Sequence, residues 1–280
     1  METIFRLINK ISDFIVVLFA WESAIFDLIV ISFFCAFFLL FLFKKLSNQE
    51  KIKFHRNKIF GYILEIGIFR DHFGRIISNQ VKILKHNLIY LRYVIQPFLL
   101  MMIPVIIVCI QIENRLGYFP IQKNTSFIIQ AALDREVVKD IDSLISKVYC
   151  QTSAGIILET PPLRIASEGI VFWRARLKVT GPQFVRLGID GTRKMVEKKI
   201  VTVTTRERFC PIKSKANSLN YILNSAETPI PQDACFKFIS ANYSPATYPF
   251  FFWDISPIIY FFILSLGFGL ILKPFIKVNI

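Results

Sequence analysis

The side chains that could carry out acid–base, nucleophilic or metal chemistry are few and scattered. The three histidines, His55, His72 and His86, share one basic stretch, where we expect solvated side chains. Asp140 and Asp142 lie in a charged stretch, and no phosphate-binding glycine loop, nucleophile elbow or zinc-protease motif is present. We therefore predict a protein that is not an enzyme, with no catalytic residues, no metal and no cofactor.

The five cysteines do not have the spacing of a zinc or haem site. Cys35 and Cys109 fall in apolar segments, where a thiol acts as a small apolar filler. Cys210 and Cys235 bracket a polar excursion. In an oxidising compartment these two thiols could form a disulfide, and Cys150 would then be left over.

Polar side chains inside long apolar segments are more informative, because placing them in lipid is costly. Two interpretations stay open for them. In one, Glu22 and Asp27 lie in the headgroup zone of a membrane. In the other, Asp27, Gln96 and Ser265 line a shallow polar groove between spanning helices.

The composition places the chain among membrane proteins. It is 54% hydrophobic, contains 29 Phe, and has a mean hydropathy of +0.49. The formal net charge of +14 suits anionic lipid headgroups, and no nucleic-acid-binding module is visible, so we do not expect DNA as a partner.

The segments long enough to cross a bilayer are 24–43, 93–111 and 255–272. Residues 44–92 contain eleven Lys and Arg against three acids, so the positive-inside rule predicts that this segment is cytoplasmic. The N-terminus and residues 117–250 are then outside, and the tail 273–280 is cytoplasmic. We expect a multi-pass protein of a bacterial inner or cell membrane.

Residues 1–20 have two interpretations. Ile4, Leu7, Ile8 and Ile11 share one helical face, which is typical of an interfacial amphipathic helix. A cleaved signal peptide is the alternative, although no A-x-A cleavage site follows.

A heptad rhythm runs through the basic segment 44–92. Ile77, Val81, Leu84, Leu88, Leu91 and Ile95 are spaced four and three residues apart, and Ile52, Ile59, Ile63 and Ile66 fit the same spacing if Arg56 occupies one slot. A break at 70–74 separates them, with Asp71 as an expected N-cap and Gly74 as a weak point. The pattern predicts an antiparallel coiled-coil hairpin about 30 Å long.

The hairpin has a basic exterior, formed by Lys51, Lys53, Lys58, Arg75, Lys82 and Lys85. Such a surface suits RNA or anionic lipid. The hairpin is either a connector, or a docking surface for a ribosome, a nascent chain or a translocon.

Residues 117–250 have the pattern of a β-sandwich. Residues 170–180 alternate, with Val171, Trp173, Ala175, Leu177 and Val179 on one face. Further strands are expected at 126–133, 155–159, 184–189 and 199–205, with a hairpin turn at Asp190–Gly191 and a helix over 135–148.

The order of these elements resembles the YidC/Oxa superfamily of membrane protein insertases. The three-span branch, which comprises archaeal YidC-like proteins and the insertase subunit of the endoplasmic-reticulum membrane protein complex, is the most similar. There the second hairpin helix enters a span through a proline-containing stretch, which here corresponds to Gln96-Pro97 through Pro104-Val105. Two departures are the inserted β domain and the lack of Arg or Lys within the spans.

The resemblance implies a non-enzymatic insertase-like or translocation-associated factor. Its polar groove would ease hydrophilic segments into the bilayer, with nascent membrane proteins, a ribosome or a translocon as partners. The alternative is an envelope scaffold or sensor, in which the extracytoplasmic β domain binds a protein partner or a ligand.

Overall fold

The computed structural model describes residues 23–69, 72–135, 137–138, 140–192, 195–202, 208–224 and 226–276. The chain divides into two compact units. The helical unit comprises Ser23–Val108 and the chain from Ile259 onward, and the β unit contains Cys109–Ile258. Residues 1–20, for which an interfacial helix or a signal peptide is predicted, lie outside the described residues.

Six helices occur in the described residues: α1 (Ala24–Leu46), α2 (Gln49–Ile68), α3 (Phe73–Leu116), α4 (Ile141–Ile145), α5 (Leu219–Leu223) and α6 (Pro257–Ile276). Helices α1, α3 and α6 are long and apolar enough to cross a membrane, since the mean hydropathy of their most apolar 18-residue stretch is 2.8, 2.4 and 2.0, respectively. The prediction of three spanning helices is confirmed at this level. Helix α6 continues through Lys273 and Pro274, where the sequence predicts its end.

A tight connection joins α1 to α2. Backbone and hydroxyl of Ser47 both donate to the carbonyl of Phe43, which closes α1. Asn48 then caps α2, because its side chain accepts a hydrogen bond from the backbone of Lys51. Phe43 and Ile52 are buried together across this turn. The two residues between Leu46 and Gln49 therefore connect α1 to α2 without an extra loop.

Helix α3 starts close to the predicted break. The carbonyl of His72 accepts hydrogen bonds from the backbone of Arg75 and Ile76, which marks the first turn. Gly74 lies within that turn, and the expected cap Asp71 is outside the described residues. From Phe73 the helix continues into the second apolar segment, so the second hairpin helix and that segment are one element.

The β unit contains antiparallel sheets, as the sequence predicts. The strands are β1 (Ser126–Leu133), β2 (Val148–Thr152), β3 (Ile156–Leu158), β4 (Leu163–Ile165), β5 (Ile170–Leu177), β6 (Gln183–Ile189), β7 (Val196–Ile200), β8 (Ile212–Ser214), β9 (Phe236–Ala241), β10 (Tyr248–Phe250) and β11 (Trp253–Ile255). One sheet has the order β3-β5-β1-β9-β8 with β4 also on β5, a second has the order β2-β6-β7, and β10 pairs with β11.

The two larger sheets contribute to one hydrophobic core. The alternation predicted for β5 is confirmed for Val171, Trp173, Ala175 and Leu177, all at most 2% exposed. Val179 is 56% exposed, because β5 ends at Leu177 before the alternation reaches it.

Two local predictions in the β unit have the wrong bounds. Among the described residues of 135–148, the helix spans Ile141–Ile145, and Val148 already begins β2. The returning strand spans Val196–Ile200 instead of starting at 199, and residues 203–205 of the predicted strand lie outside the described residues. In both places a strand begins earlier than local propensity indicates, because strand formation depends on packing in the sheet.

Candidate functional site

The contact between α2 and α3 is formed by histidine and tyrosine side chains. The Nδ1 atoms of His55 and His86 are 2.8 Å apart, so one ring donates and the other accepts. His55 stacks on Tyr93 at 6.1 Å between centroids, and Tyr62 lies 5.7 Å from His86. The expectation of solvated histidines is wrong for this pair, because both rings are half-buried.

The environment of His55 favours its neutral form. Desolvation lowers the pKa of His55, and the nearby His86 and Lys51 lower it further. A neutral imidazole can accept the hydrogen bond from its partner, whereas two imidazolium rings at this distance would repel each other. The contact therefore requires at least one neutral histidine.

The predicted basic surface is arranged on aromatic rings. Lys51 lies over Tyr93 at 5.2 Å and Lys82 over Tyr62 at 5.3 Å, so these cations bridge α2 and α3. Two further pairs are local, with Lys58 over Phe54 at 5.8 Å and Arg75 over Phe69 at 4.6 Å. The remaining members, Lys53 and Lys85, are exposed. Six cations thus line the exterior of the hairpin.

The predicted coiled-coil seam does not lie between the two helices. Its α3 members are between 42% and 63% exposed: Ile77, Val81, Leu84, Leu88, Leu91 and Ile95. On α2, Ile52 is buried but Ile63 is 50% exposed. The face of α3 that bears Asn79, His86 and Tyr93 is turned toward α2 instead, and these residues fill the contact between the two helices. The apolar stripe of α3 is therefore uncovered by the described residues.

Helices α1 and α6 meet at Ser32, a small side chain that the sequence analysis did not single out. Ser32 lies between Leu28 and Ala36 in a row of α1 residues that recur every four positions and are at most 4% exposed. The hydroxyl of Ser32 donates to the carbonyl of Phe261 at 3.5 Å. A four-residue spacing of small residues is the signal that could have identified this contact.

The ends of α1 and α6 also meet. The ammonium of Lys44 donates to the carbonyl of Ile276 at 2.7 Å. This bond satisfies a carbonyl at the end of α6 and places a cation at the negative end of its dipole. Since Ser32 pairs with Phe261 and Lys44 with Ile276, the two helices run in the same direction.

The three predicted groove residues lie at different levels of the helical unit. Asp27 is in the first turn of α1, about 24 Å along that helix from Phe43. Gln96 is exposed and lies two residues after Val94, which packs against the cluster that contains Phe43, so Gln96 is near the level of Phe43. Ser265 donates to Phe262 of its own helix at 3.1 Å. Asp27 and Gln96 are therefore not brought into one polar cluster.

The two prolines of the second span lie inside an uninterrupted helix. Pro97 and Pro104 lack the backbone N–H that would bond the carbonyls of Tyr93 and Leu100. Pro97 is buried and Pro104 half-buried. The carbonyls of Tyr93 and Leu100, which lack this helical hydrogen bond, therefore provide polar groups within the second apolar segment without a polar side chain.

The β unit contains a buried charge cluster. Lys198 is 0% exposed, and its ammonium donates to the carbonyl of Cys210 at 2.5 Å and lies 3.4 Å from Glu227. Lys213 lies 3.5 Å from the same carboxylate and donates to the carbonyl of Glu197 at 2.6 Å. Two buried cations therefore share one carboxylate and two carbonyls.

The candidate disulfide is contradicted by the register of the strands. Cys210 and Cys235 are free thiols. Because Ile212 pairs with Ser240, Cys210 lies beyond one end of the β8–β9 pair and Cys235 beyond the other. About seven residues of strand, roughly 23 Å, separate their levels, which is far more than a disulfide spans. Burial raises the pKa of Cys210 to about 11 and that of Cys150 to about 12.

No group of three or more His, Cys, Asp or Glu among the described residues is placed to hold a metal ion. Comparison of the chain with protein-family models, with curated proteins and with solved structures finds no match.

Proposed function

We propose that this chain is a multi-pass membrane protein that eases hydrophilic segments into the bilayer, as an insertase-like factor. The observation that carries the proposal is the loose packing of the three apolar helices. In the most apolar 18-residue stretch of α1, α3 and α6, the buried share is only 22%, 6% and 11%, respectively. Helices that cover so little of one another leave lateral openings through which a polar segment can enter.

The chemistry of such a factor is a reduction of desolvation cost. A polar segment entering hydrocarbon loses its hydrogen bonds to water, which is expensive unless polar groups replace them. The carbonyls freed at Pro97 and Pro104, together with Gln96, are acceptors and donors along α3. The similarity in element order to the YidC/Oxa insertases supports the same role.

The basic exterior of the hairpin is the proposed receiving surface. With residues 44–92 cytoplasmic, Lys53 and Lys85 would face a ribosome or translocon on the side from which substrates arrive. Since α3 continues from the hairpin into the second span, a partner held there is connected to the membrane by one helix.

Depletion and complementation test this function. We expect that depletion lowers the membrane insertion of proteins with short translocated tails, and that the wild-type chain restores it. Lys53→Glu with Lys85→Glu should restore it poorly, whereas Lys178→Glu, an exposed charge reversal in the β unit, should restore it fully. Insertion that is unchanged by depletion would refute the proposal.

Labelling of intact cells with a membrane-impermeant maleimide tests the orientation. The five native cysteines are first replaced by alanine, and single cysteines are then introduced at exposed positions, with Lys53→Cys for the hairpin and Lys178→Cys for the β unit. The proposed orientation predicts labelling of Lys178→Cys only. Labelling of Lys53→Cys from outside would reverse the topology.

A scaffold or sensor whose β unit binds an extracytoplasmic partner is the second candidate. Its support is a charged row on the outer face of β5. Arg174 and Arg176 flank Glu159, at 3.0 Å and 2.5 Å, and leave this face with net positive charge. If insertion depended on Arg174 and Arg176 but not on the hairpin cations, this candidate would replace the first.

A further inference from the structure

The apolar stripe of α3 is a regular surface with no cover among the described residues. Its members repeat with spacings of four and three residues over 77–95 and are all at least 42% exposed. The same spacing continues to Phe98 and Met102, which are 56% and 43% exposed. The stripe therefore extends over 26 residues, more than three heptads, from the hairpin into the second span.

Helix α2 cannot cover this stripe, because it already occupies the opposite face of α3. Asn79, His86 and Tyr93 are seven residues apart and lie at heptad position f, which is the position farthest from a coiled-coil seam. Asn79 is 2% exposed. The two prolines, Pro97 and Pro104, share position c and also lie off the seam.

We propose that the stripe pairs with the same stripe of a second copy of this chain in a parallel two-stranded coiled coil. Val81, Leu88 and Ile95 take position a, and Ile77, Leu84 and Leu91 take position d. A majority of β-branched residues at a, with a majority of Leu at d, favours two strands over three or four.

The charges beside the stripe select the parallel arrangement. Lys85 and Arg92 occupy position e, and Gln80 and Asn87 occupy position g. In a parallel pair, g faces the following e of the partner, so each amide oxygen can accept from a cation. In an antiparallel pair, e faces e, and the cations would repel each other.

The membrane reinforces this choice. Two copies inserted in one bilayer share an orientation, so their α3 helices run parallel. Anchoring also confines both copies to a thin layer, and the high effective concentration favours a stripe that would be marginal as an isolated peptide in water. A second copy is therefore both sterically and electrostatically the matching occupant.

Disulfide crosslinking of the full chain in membranes tests the pairing. In a background with all five native cysteines replaced by alanine, single cysteines replace Leu84, Leu91 or, as the control, Lys82, which is exposed at position b. After mild oxidation, we expect about fivefold more disulfide dimer from Leu84→Cys and Leu91→Cys than from Lys82→Cys. The reason is that position d of a coiled coil, unlike position b, brings the two thiols within bonding distance. Equal yields, no dimer, or adducts of another mass would overturn the proposal in favour of lipid or a different partner.

Counting photobleaching steps of the fluorescently tagged chain gives an independent measurement. We expect two steps for the unaltered chain and for Lys82→Glu, and one step for Leu84→Arg with Leu91→Arg. Retained emission of the buried Trp173 shows that the β unit of this variant is folded. Two steps from the arginine variant would refute the stripe as the interface.

Discussion

The β unit covers most of its large apolar side chains with its own sheets, although Phe251, Phe252 and Trp253 are exposed, whereas the helical unit leaves many of its own uncovered. Trp173 and Leu187 are at most 2% exposed, but Phe38, Leu84 and Leu266 are each more than half exposed. A soluble domain would not keep such helices stable in water. The difference teaches that the core of the β unit forms within its own sheets, whereas the long helices of the helical unit have apolar surfaces suited to a membrane.

The two units also treat charge differently. The β unit buries Lys198 and Lys213 around Glu227, so its cations depend on a fixed partner. The hairpin places the exposed Lys51 and Lys82 over the half-buried rings of Tyr93 and Tyr62, where each contact is weak and the charge stays available to a binding partner. Substitutions should therefore act on stability in the β unit and on binding in the helical unit.

The largest effect should follow removal of the shared carboxylate. Glu227→Gln leaves two buried cations without a counter-charge and should cost about 3–5 kcal/mol of the free energy of unfolding of the β unit. The matched change Glu197→Gln removes only the exposed pair with Arg186, 2.8 Å apart, and should cost less than about 1 kcal/mol. Denaturant unfolding of the purified chain, followed by Trp173 fluorescence, measures both. Equal costs would mean that Glu227 is not the group that stabilises the cluster.

The same substitution placed in each unit measures the packing difference directly. Leu187→Ala opens a cavity in the sheet core and should cost about 2–5 kcal/mol. Leu84→Ala shortens a side chain that is 62% exposed and should change the stability of the monomer by less than about 0.5 kcal/mol. Thermal unfolding in dilute detergent, where copies are separated, tests both variants. A large loss for Leu84→Ala would show that the stripe is buried within one copy.

Much of this contrast could be predicted from the sequence, because periodicity reports which face of an element is apolar. The alternation around Trp173 predicts a half-buried strand, and the long, mostly apolar run from Leu28 to Phe43 predicts a spanning helix. Each signal is local and needs no knowledge of neighbouring elements.

What covers an apolar face is not a local property. The heptad pattern of α3 predicts a seam that packs against α2. In the structure, however, α2 packs on the face of α3 that bears His86 and Tyr93. The pairing of His55 with His86 depends on the register between two helices, and the separation of Cys210 from Cys235 depends on the register between two strands. The local periodicity of a single sequence does not carry that register.

Mild acid should distinguish the units, because all three histidines lie in the hairpin segment. The folded hairpin lowers the pKa of His55 below its ordinary value of 6.5, so the folded state binds fewer protons than the unfolded state. The stabilising contact is complete above pH 6.5 and is lost as the pH falls through the folded pKa. Hydrogen exchange of α2, corrected for intrinsic rates, should increase between pH 7.5 and pH 5.5, while exchange of β5 stays constant.

Replacement of the pair provides the control for that experiment. His55→Phe with His86→Phe removes both imidazole rings and keeps aromatic side chains at the contact. Its hydrogen exchange in α2 should not depend on pH over the same range. A pH dependence that persists in this variant would assign the effect to other groups.

The smallest effect concerns the contact between α1 and α6. Ser32→Ala removes one hydrogen bond and should cost about 0.6 kcal/mol, the usual size of such bonds between membrane helices. Ser32→Leu should cost more, about 1–3 kcal/mol, because a larger side chain cannot fit where Ser32 is 0% exposed. Unfolding of the chain by SDS titration orders the two variants. If Ser32→Leu were neutral, α1 and α6 would be separated by lipid, and the small side chain would not hold the two helices together.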